Sequence, residues 1–157
     1  MKTIYAREQV DKSIFLAGPT PREAVTPSWR PQALSILHDL KFDGTVYVPE
    51  DRTSNSCHEF EYDAQINWEL TALHSSSIIV FWVPRDLTNM PAFTTNVEFG
   101  HFISTGKCMF GAPKDAPKND YLRFLARRYG VSVFDDLEEL LSRAVHQLNR
   151  PYGPMTN

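Results

Sequence analysis

Only two cysteines, Cys57 and Cys108, occur in this chain, far apart and outside any C-x-x-C or Cys/His ligand pattern. That excludes a disulfide framework and a zinc-ribbon centre, and it reads as two free thiols of a cytoplasmic protein. His58, His74 and His101 show no metal-ligand spacing, so neither a metal nor another cofactor is expected. Long apolar runs are missing too. None approaches the roughly 18 residues that cross a bilayer, and the N-terminal residues lack the apolar centre of a signal peptide. A soluble intracellular domain with no membrane partner is expected. Nor is there a basic block: 16 Lys and Arg against 19 Asp and Glu give a net charge of −3 and a pI near 5.9. Such a balance offers no electrostatic grip on duplex nucleic acid. Arg123, Arg127 and Arg128 cluster, but as the solvated face of one helix. Internal repeats and low-complexity segments are absent.

What is present is a well-furnished core, with 42% hydrophobic and 12% aromatic residues. The length of 157 residues fits one domain that buries about two thirds of its unfolded surface. Short apolar runs alternate with helical stretches. Strands are expected at 13–17, ended by Gly18-Pro19, at 45–48, at 77–83, at 107–111 and at 131–134. Between them fall helices from Ser28, as cap, to about Leu40, from about Phe60 to His74, from the 94–96 region to about Gly106, and from 119 to 129. A last helix runs from Asp135 to about Leu148. Ala33, Leu34, Leu37 and Leu40 share one face of the first, and Ile66, Leu70 and Leu73 recur at helix spacing in the second. Gly130 suits a left-handed cap. Such alternation implies an α/β fold, a doubly wound parallel sheet of five strands with helices on both faces. The flavodoxin-like order 2-1-3-4-5 is expected, in one domain over residues 1–149 with a mobile tail at 150–157.

The stretch Asn96-Val97-Glu98-Phe99-Gly100 follows the apolar run Ser77–Val83 and a ten-residue loop. With Thr94, Thr95 or Asn96 as cap, Glu98 falls in the first turn of a helix at the strand-to-helix crevice where ligands bind in open α/β sheets. There the helix dipole favours the ionised carboxylate, which suits a nucleophile, although acids in a first turn are also ordinary surface groups.

Three segments, in this order and spacing, resemble the nucleoside 2-deoxyribosyltransferase family, in its deoxyribosyltransferase-like branch. They are Ile14-Phe15-Leu16-Ala17-Gly18-Pro19, Gln65-Ile66-Asn67-Trp68-Glu69, and Ile79-Val80-Phe81-Trp82-Val83-Pro84 leading to Asn96–Gly100, with Tyr47-Val48-Pro49-Glu50 as the second strand end. The resemblance spans about residues 13–111. It implies a flavodoxin-like homo-oligomer that cleaves the N-glycosidic bond of 2′-deoxynucleosides or their monophosphates. The family's nucleophilic glutamate, in its E-x-G motif, maps onto Glu98, and its aromatic residue near the bound base onto Phe15. Two acids of the pattern are missing: one at the start of the third strand aligns with Ser77, the other, six residues before the nucleophile, with Ala92. Asp86, Glu69 and Asp51 are the candidates to replace them.

Other assignments stay paired. Gly18 and Pro19 end a strand or bring backbone close to a ligand. Asn96 caps a helix, orients the nucleophile or binds a sugar hydroxyl. Trp68 is core or a base platform. Glu69 is an exposed helix residue or the compensating acid. Glu50 and Asp51 face the crevice or form a solvated turn. Arg85 and Asp86 form a lid or an exposed loop, and an inward Arg85 would recognise a 5′-phosphate. His101, one turn from Glu98, touches it or lies on the surface. Two function classes follow: an N-glycoside transferase or hydrolase, and a non-catalytic nucleotide-binding or sensor module. A signalling or electron-transfer domain fits worse, because the phosphate-cradling loop after strand one and a receiver's acid cluster are absent.

Overall fold

The computed structural model describes residue 3 and residues 11–23, 26–50 and 59–150. Five strands, β1 (Ser13–Ala17), β2 (Thr45–Tyr47), β3 (Ile78–Trp82), β4 (Cys108–Gly111) and β5 (Val133–Phe134), form one sheet in the order β2-β1-β3-β4-β5. Every pairing is parallel, with Ile14 beside Ile78 and Val80 beside Met109. The expected architecture and strand order are therefore present. β1 and β3 are buried along their whole length because helices cover both faces.

Alternation along the strands sorts the core into two layers. Phe15, Ala17, Ile79, Phe81 and Phe110 point to one face, where they meet Leu73 of α2 (Glu59–Ser75), Phe99 and Phe102 of α3 (Phe93–Phe102), and Leu122 and Ala126 of α4 (Asp120–Arg128). Ile14, Leu16, Ile78, Val80 and Met109 point to the other, against Ala33 and Leu37 of α1 (Arg30–Asp39) and Leu140, Leu141 and Ala144 of α5 (Leu137–Leu148). Local signals close the helices. Asp136 caps α5 by accepting from the Glu139 amide at 2.9 Å. Gly130, at φ 70°, follows α4 in the left-handed region. Lys107 donates to the carbonyls of Leu73, His74 and Ser76 at 2.9, 2.7 and 3.2 Å, placing a cation at the negative end of α2.

Several expected details shift. α1 begins at Arg30 rather than next to Ser28, since its cap position is Trp29, which makes no side-chain cap bond. Leu34 is exposed, because α5 covers only the Ala33–Leu37 stripe of α1. Ile66 and Leu70 are exposed too, and among the described side chains of that helix Ala72 and Leu73 are the ones that enter the core. α3 ends at Phe102 and passes through a 3-10 turn, Ile103–Thr105. Asp51, Cys57, His58 and the tail from 151 lie outside the described residues. Among the described residues no helix is long and apolar enough to cross a membrane.

Gly18 has a packing reason of its own. Its φ is 154°, and a Cβ there would stand 2.2 Å from the Trp82 carbonyl oxygen and 2.8 Å from the Trp29 ring. Strand β3 and α1 thus leave room for hydrogen alone. Gly18→Ala is expected to destabilise the fold by about 2–4 kcal/mol in urea denaturation. Gly100→Ala, in a helix with nothing within 4 Å, should be neutral or stabilising by up to about 1 kcal/mol.

Candidate active site

A cavity of about 1060 Å³ opens at the C-terminal ends of β1 and β2. Its floor is Phe15, Ala17 and Gly18; α2 contributes Tyr62, Gln65, Ile66 and Glu69; Ala92, Phe93, Val97 and Glu98 come from the start of α3; Glu50 follows β2. This is the crevice beside the β1/β3 switch point of the sheet.

One lip is built by a buried arginine. Arg30, 1% exposed at the first position of α1, donates from Nε to the Leu16 carbonyl at 3.1 Å and from Nη2 to the Gly18 carbonyl at 2.7 Å. Its Nη1 donates to Thr20 Oγ1 at 3.0 Å and to Glu50 Oε1 at 2.5 Å. Ser28 hands Glu50 a second donor at 2.6 Å while its oxygen accepts the Arg30 amide at 3.1 Å. Trp29 Nε1 holds the Pro19 carbonyl at 3.1 Å. Burial draws the Arg30 pKa below its ordinary value, against Glu50, Glu69 and Glu98, which favour its charge.

The other lip hangs on Arg85, also buried. Its guanidinium donates to Asn119 Oδ1 at 3.2 Å, to Asn96 Oδ1 at 2.7 Å and to the Pro91 carbonyl. Asn119 in turn donates to the Val83 carbonyl at 3.0 Å. Next to Pro91, Ala92 takes a left-handed conformation, φ 61° and ψ 39°, as the cap residue of α3. The two lips touch at the mouth, where the Arg22 amide donates to the Asn89 carbonyl at 3.0 Å and its guanidinium sits 5.7 Å from the Phe93 ring centre.

Glu98 is not in the first turn. α3 starts at Phe93, two to four residues earlier than a cap at 94–96 would place it, so Glu98 lies in the second turn, where the dipole gives it little help. Burial, with the repulsion of Glu69 added to it, instead pushes its carboxyl up to about 7, against the opposing pull of Arg30. Glu69 is half-buried and accepts from Gln65 Nε2 at 2.9 Å.

The structure brings Phe15, Gly18, Pro19, Glu50, Glu69 and Glu98 together around one space. It leaves three other expected residues out of the lining. Asp86 turns its Oδ1 to the amides of Thr88 and Asn89 at 2.8 and 2.9 Å, making a tight loop, and these bonds hold its carboxyl below the usual range. Asn96 is not the cap, which is Ala92, and its side-chain oxygen accepts from Arg85. Trp68 is 47% exposed and packs its ring against Phe15 and Tyr47, at 6.5 and 6.3 Å, on the side away from the lining. Arg85 faces the protein, which removes the expected phosphate contact. His101 is exposed, beside the rings of Phe102 and His74. Ser77 is bonded to Ser13 and the Asp11 carbonyl at the N-terminal ends of β1 and β3, opposite the end at which this cavity opens, so an acid there would not face it. Sequence reading missed Arg30. Its signal is an arginine in a helix's first turn, where the dipole disfavours a cation unless carboxylates hold it. Among the described residues, no group of three or more His, Cys, Asp or Glu could hold a metal ion.

A family model described as nucleoside 2-deoxyribosyltransferase like matches residues 11–116, two thirds of the chain and every cavity-lining element, and the chain belongs to that family. A search of curated proteins found no match.

The raised Glu98 carboxyl has a consequence for stability. The folded state holds its proton up to about pH 7, whereas the unfolded chain releases it near the ordinary carboxylate value of 4.5. Folding is therefore favoured below that lower value and weakened as pH rises through the window. Glu98→Gln should match the native chain at about pH 4 and exceed it by about 3 kcal/mol at about pH 8 in urea denaturation.

Proposed function

We propose that the chain cleaves the N-glycosidic bond of 2′-deoxynucleosides, with Glu98 as nucleophile and Glu69 as the acid that serves the leaving base. Membership of the family supports a nucleoside substrate. The observation that carries the chemistry is the pair of carboxylates, one from α2 and one from α3, that line one cavity and repel each other's charge. Two carboxyl groups on separate elements of one cavity supply what glycosidic cleavage requires, a nucleophile and a separate proton donor. Of the three candidates for the missing acids, Glu69 lines the cavity, Asp86 does not, and Asp51 lies outside the described residues.

In the reaction, ionised Glu98 attacks C1′ of the deoxyribose while Glu69 serves as the proton donor to the leaving base. The C1′–N bond breaks, its electron pair stays with the base, and the base takes the Glu69 proton. A deoxyribosyl ester on Glu98 results. A second base or water then attacks C1′, gives its proton to Glu69 and frees Glu98; this is retaining-glycosidase logic. The charge balance of the lining, with Glu23, Glu50, Glu69 and Glu98 against Arg22 and Arg30, favours a neutral nucleoside over its monophosphate. Phe15 and the Gly18-Pro19 backbone offer the base an apolar floor.

Incubation of the protein with each deoxynucleoside and a different free base should release the original base, as read by chromatography. Glu98→Gln should lower the rate by about 10³-fold or more, and mass spectrometry of the trapped native protein should find a deoxyribosyl adduct on the Glu98 peptide. Binding seen by calorimetry without base release over hours would instead support a binding module.

A further inference from the structure

Four observations converge on Arg30. It is the most voluminous fully buried side chain. It enters from α1, an element with no other residue deep in the cavity except its neighbours at the cap. Its guanidinium makes four hydrogen bonds, to Leu16, Gly18, Thr20 and Glu50, each belonging to a segment that shapes the site. And it interacts electrostatically with three glutamates from three other segments, Glu50, Glu69 and Glu98.

We propose that Arg30 is the positioning residue of this site: its four hydrogen bonds fix the Gly18–Thr20 lip, and its guanidinium brings a positive charge to the cavity that Glu98 lines. Its relevance to catalysis rests on the reading of Glu98 as nucleophile; its effect on Glu98 does not. A planar fork of donors is needed for the first role, because two carbonyls, a hydroxyl and a carboxylate are held at once in fixed directions. Positive charge alone suffices for the second. Arginine is the one side chain that meets both needs while always staying protonated in a protein interior.

The charges around Glu98 can be named from each side. Glu69 comes from α2 and opposes its ionisation; Arg30 comes from α1 and favours it; Arg22, Glu23 and Glu50 are the other charged residues lining the cavity among those described. Glu50 faces Arg30 directly and takes up part of its charge. Two substitutions therefore act on Glu98 with opposite sign. Arg30→Gln removes the counter-charge, and Glu50→Gln releases it.

The test follows the Glu98 carboxyl by carbon NMR across pH, using full-length protein whose fold is verified by near-ultraviolet circular dichroism. Glu98 should titrate about one pH unit higher in Arg30→Gln and measurably lower in Glu50→Gln. Arg30→Lys keeps the charge but not the fork. It should leave the titration nearly in place while lowering kcat on a deoxynucleoside by about 10–100-fold, with KM changed far less. A structural role alone would move stability and not the titration. If Arg30→Gln does not fold, Glu50→Gln and Arg30→Lys carry the comparison. An unchanged Glu98 titration in a folded Arg30→Gln or Glu50→Gln protein overturns the proposal, as does full kcat in Arg30→Lys. A native protein that releases no base while Glu98 titrates as stated refutes the glycosidic reading and leaves the counter-charge in place.

Discussion

A buried ion pair between Arg30 and Glu50 organises the ligand-binding end of this molecule. Ion pairs in protein interiors contribute little net stability, because desolvation offsets attraction, yet removing one partner costs about 3–5 kcal/mol. The pair is therefore better understood as a device for geometry than for stability. It ties the end of β2 to the first turn of α1, and through Leu16 and Gly18 it reaches the backbone of β1. Ser28 satisfies a second valence of the carboxylate. An isolated charge at this depth would be untenable; a fully bonded one fixes a shape.

The same solution recurs across the cavity. Arg85 gathers Pro91, Asn96 and Asn119, and Asn119 carries the network to the end of β3. Each lip thus hangs from the rigid sheet by a guanidinium, in segments that lack regular secondary structure. Loops that have no ladder of their own must satisfy their carbonyls elsewhere, and arginine does so with several donors on one rigid plane. Between the lips, the Phe99 ring of α3 meets Phe81 edge to face and Phe110 at a tilt, packing the helix that carries Glu98 onto the sheet.

The sheet was readable from sequence because its signal is periodic. Runs such as Ile78–Val83, apolar at every position, have no other stable place than a strand covered on both faces. Glu98 could be found because it stands at a fixed offset from that run. Polar contacts were not readable in the same way. Asn96 has the composition of a helix cap, yet the chain begins α3 at Phe93 because Arg85 holds Pro91, a bond between residues whose pairing depends on the folded loop. Ile66 and Leu70 have helical spacing but face the cavity instead of the core, since periodicity identifies a stripe and not what lies opposite it. Ser77 lies next to the buried strand in sequence and at the wrong end of it in space.

Ala92 carries an evolutionary implication. Its left-handed backbone suits aspartate or asparagine better than alanine, whose methyl group gains no local hydrogen bond in return. A single nucleotide change separates the alanine and aspartate codons. Because the backbone already has the form that aspartate tolerates, a carboxylate can be installed beside this cavity without rebuilding the loop around it.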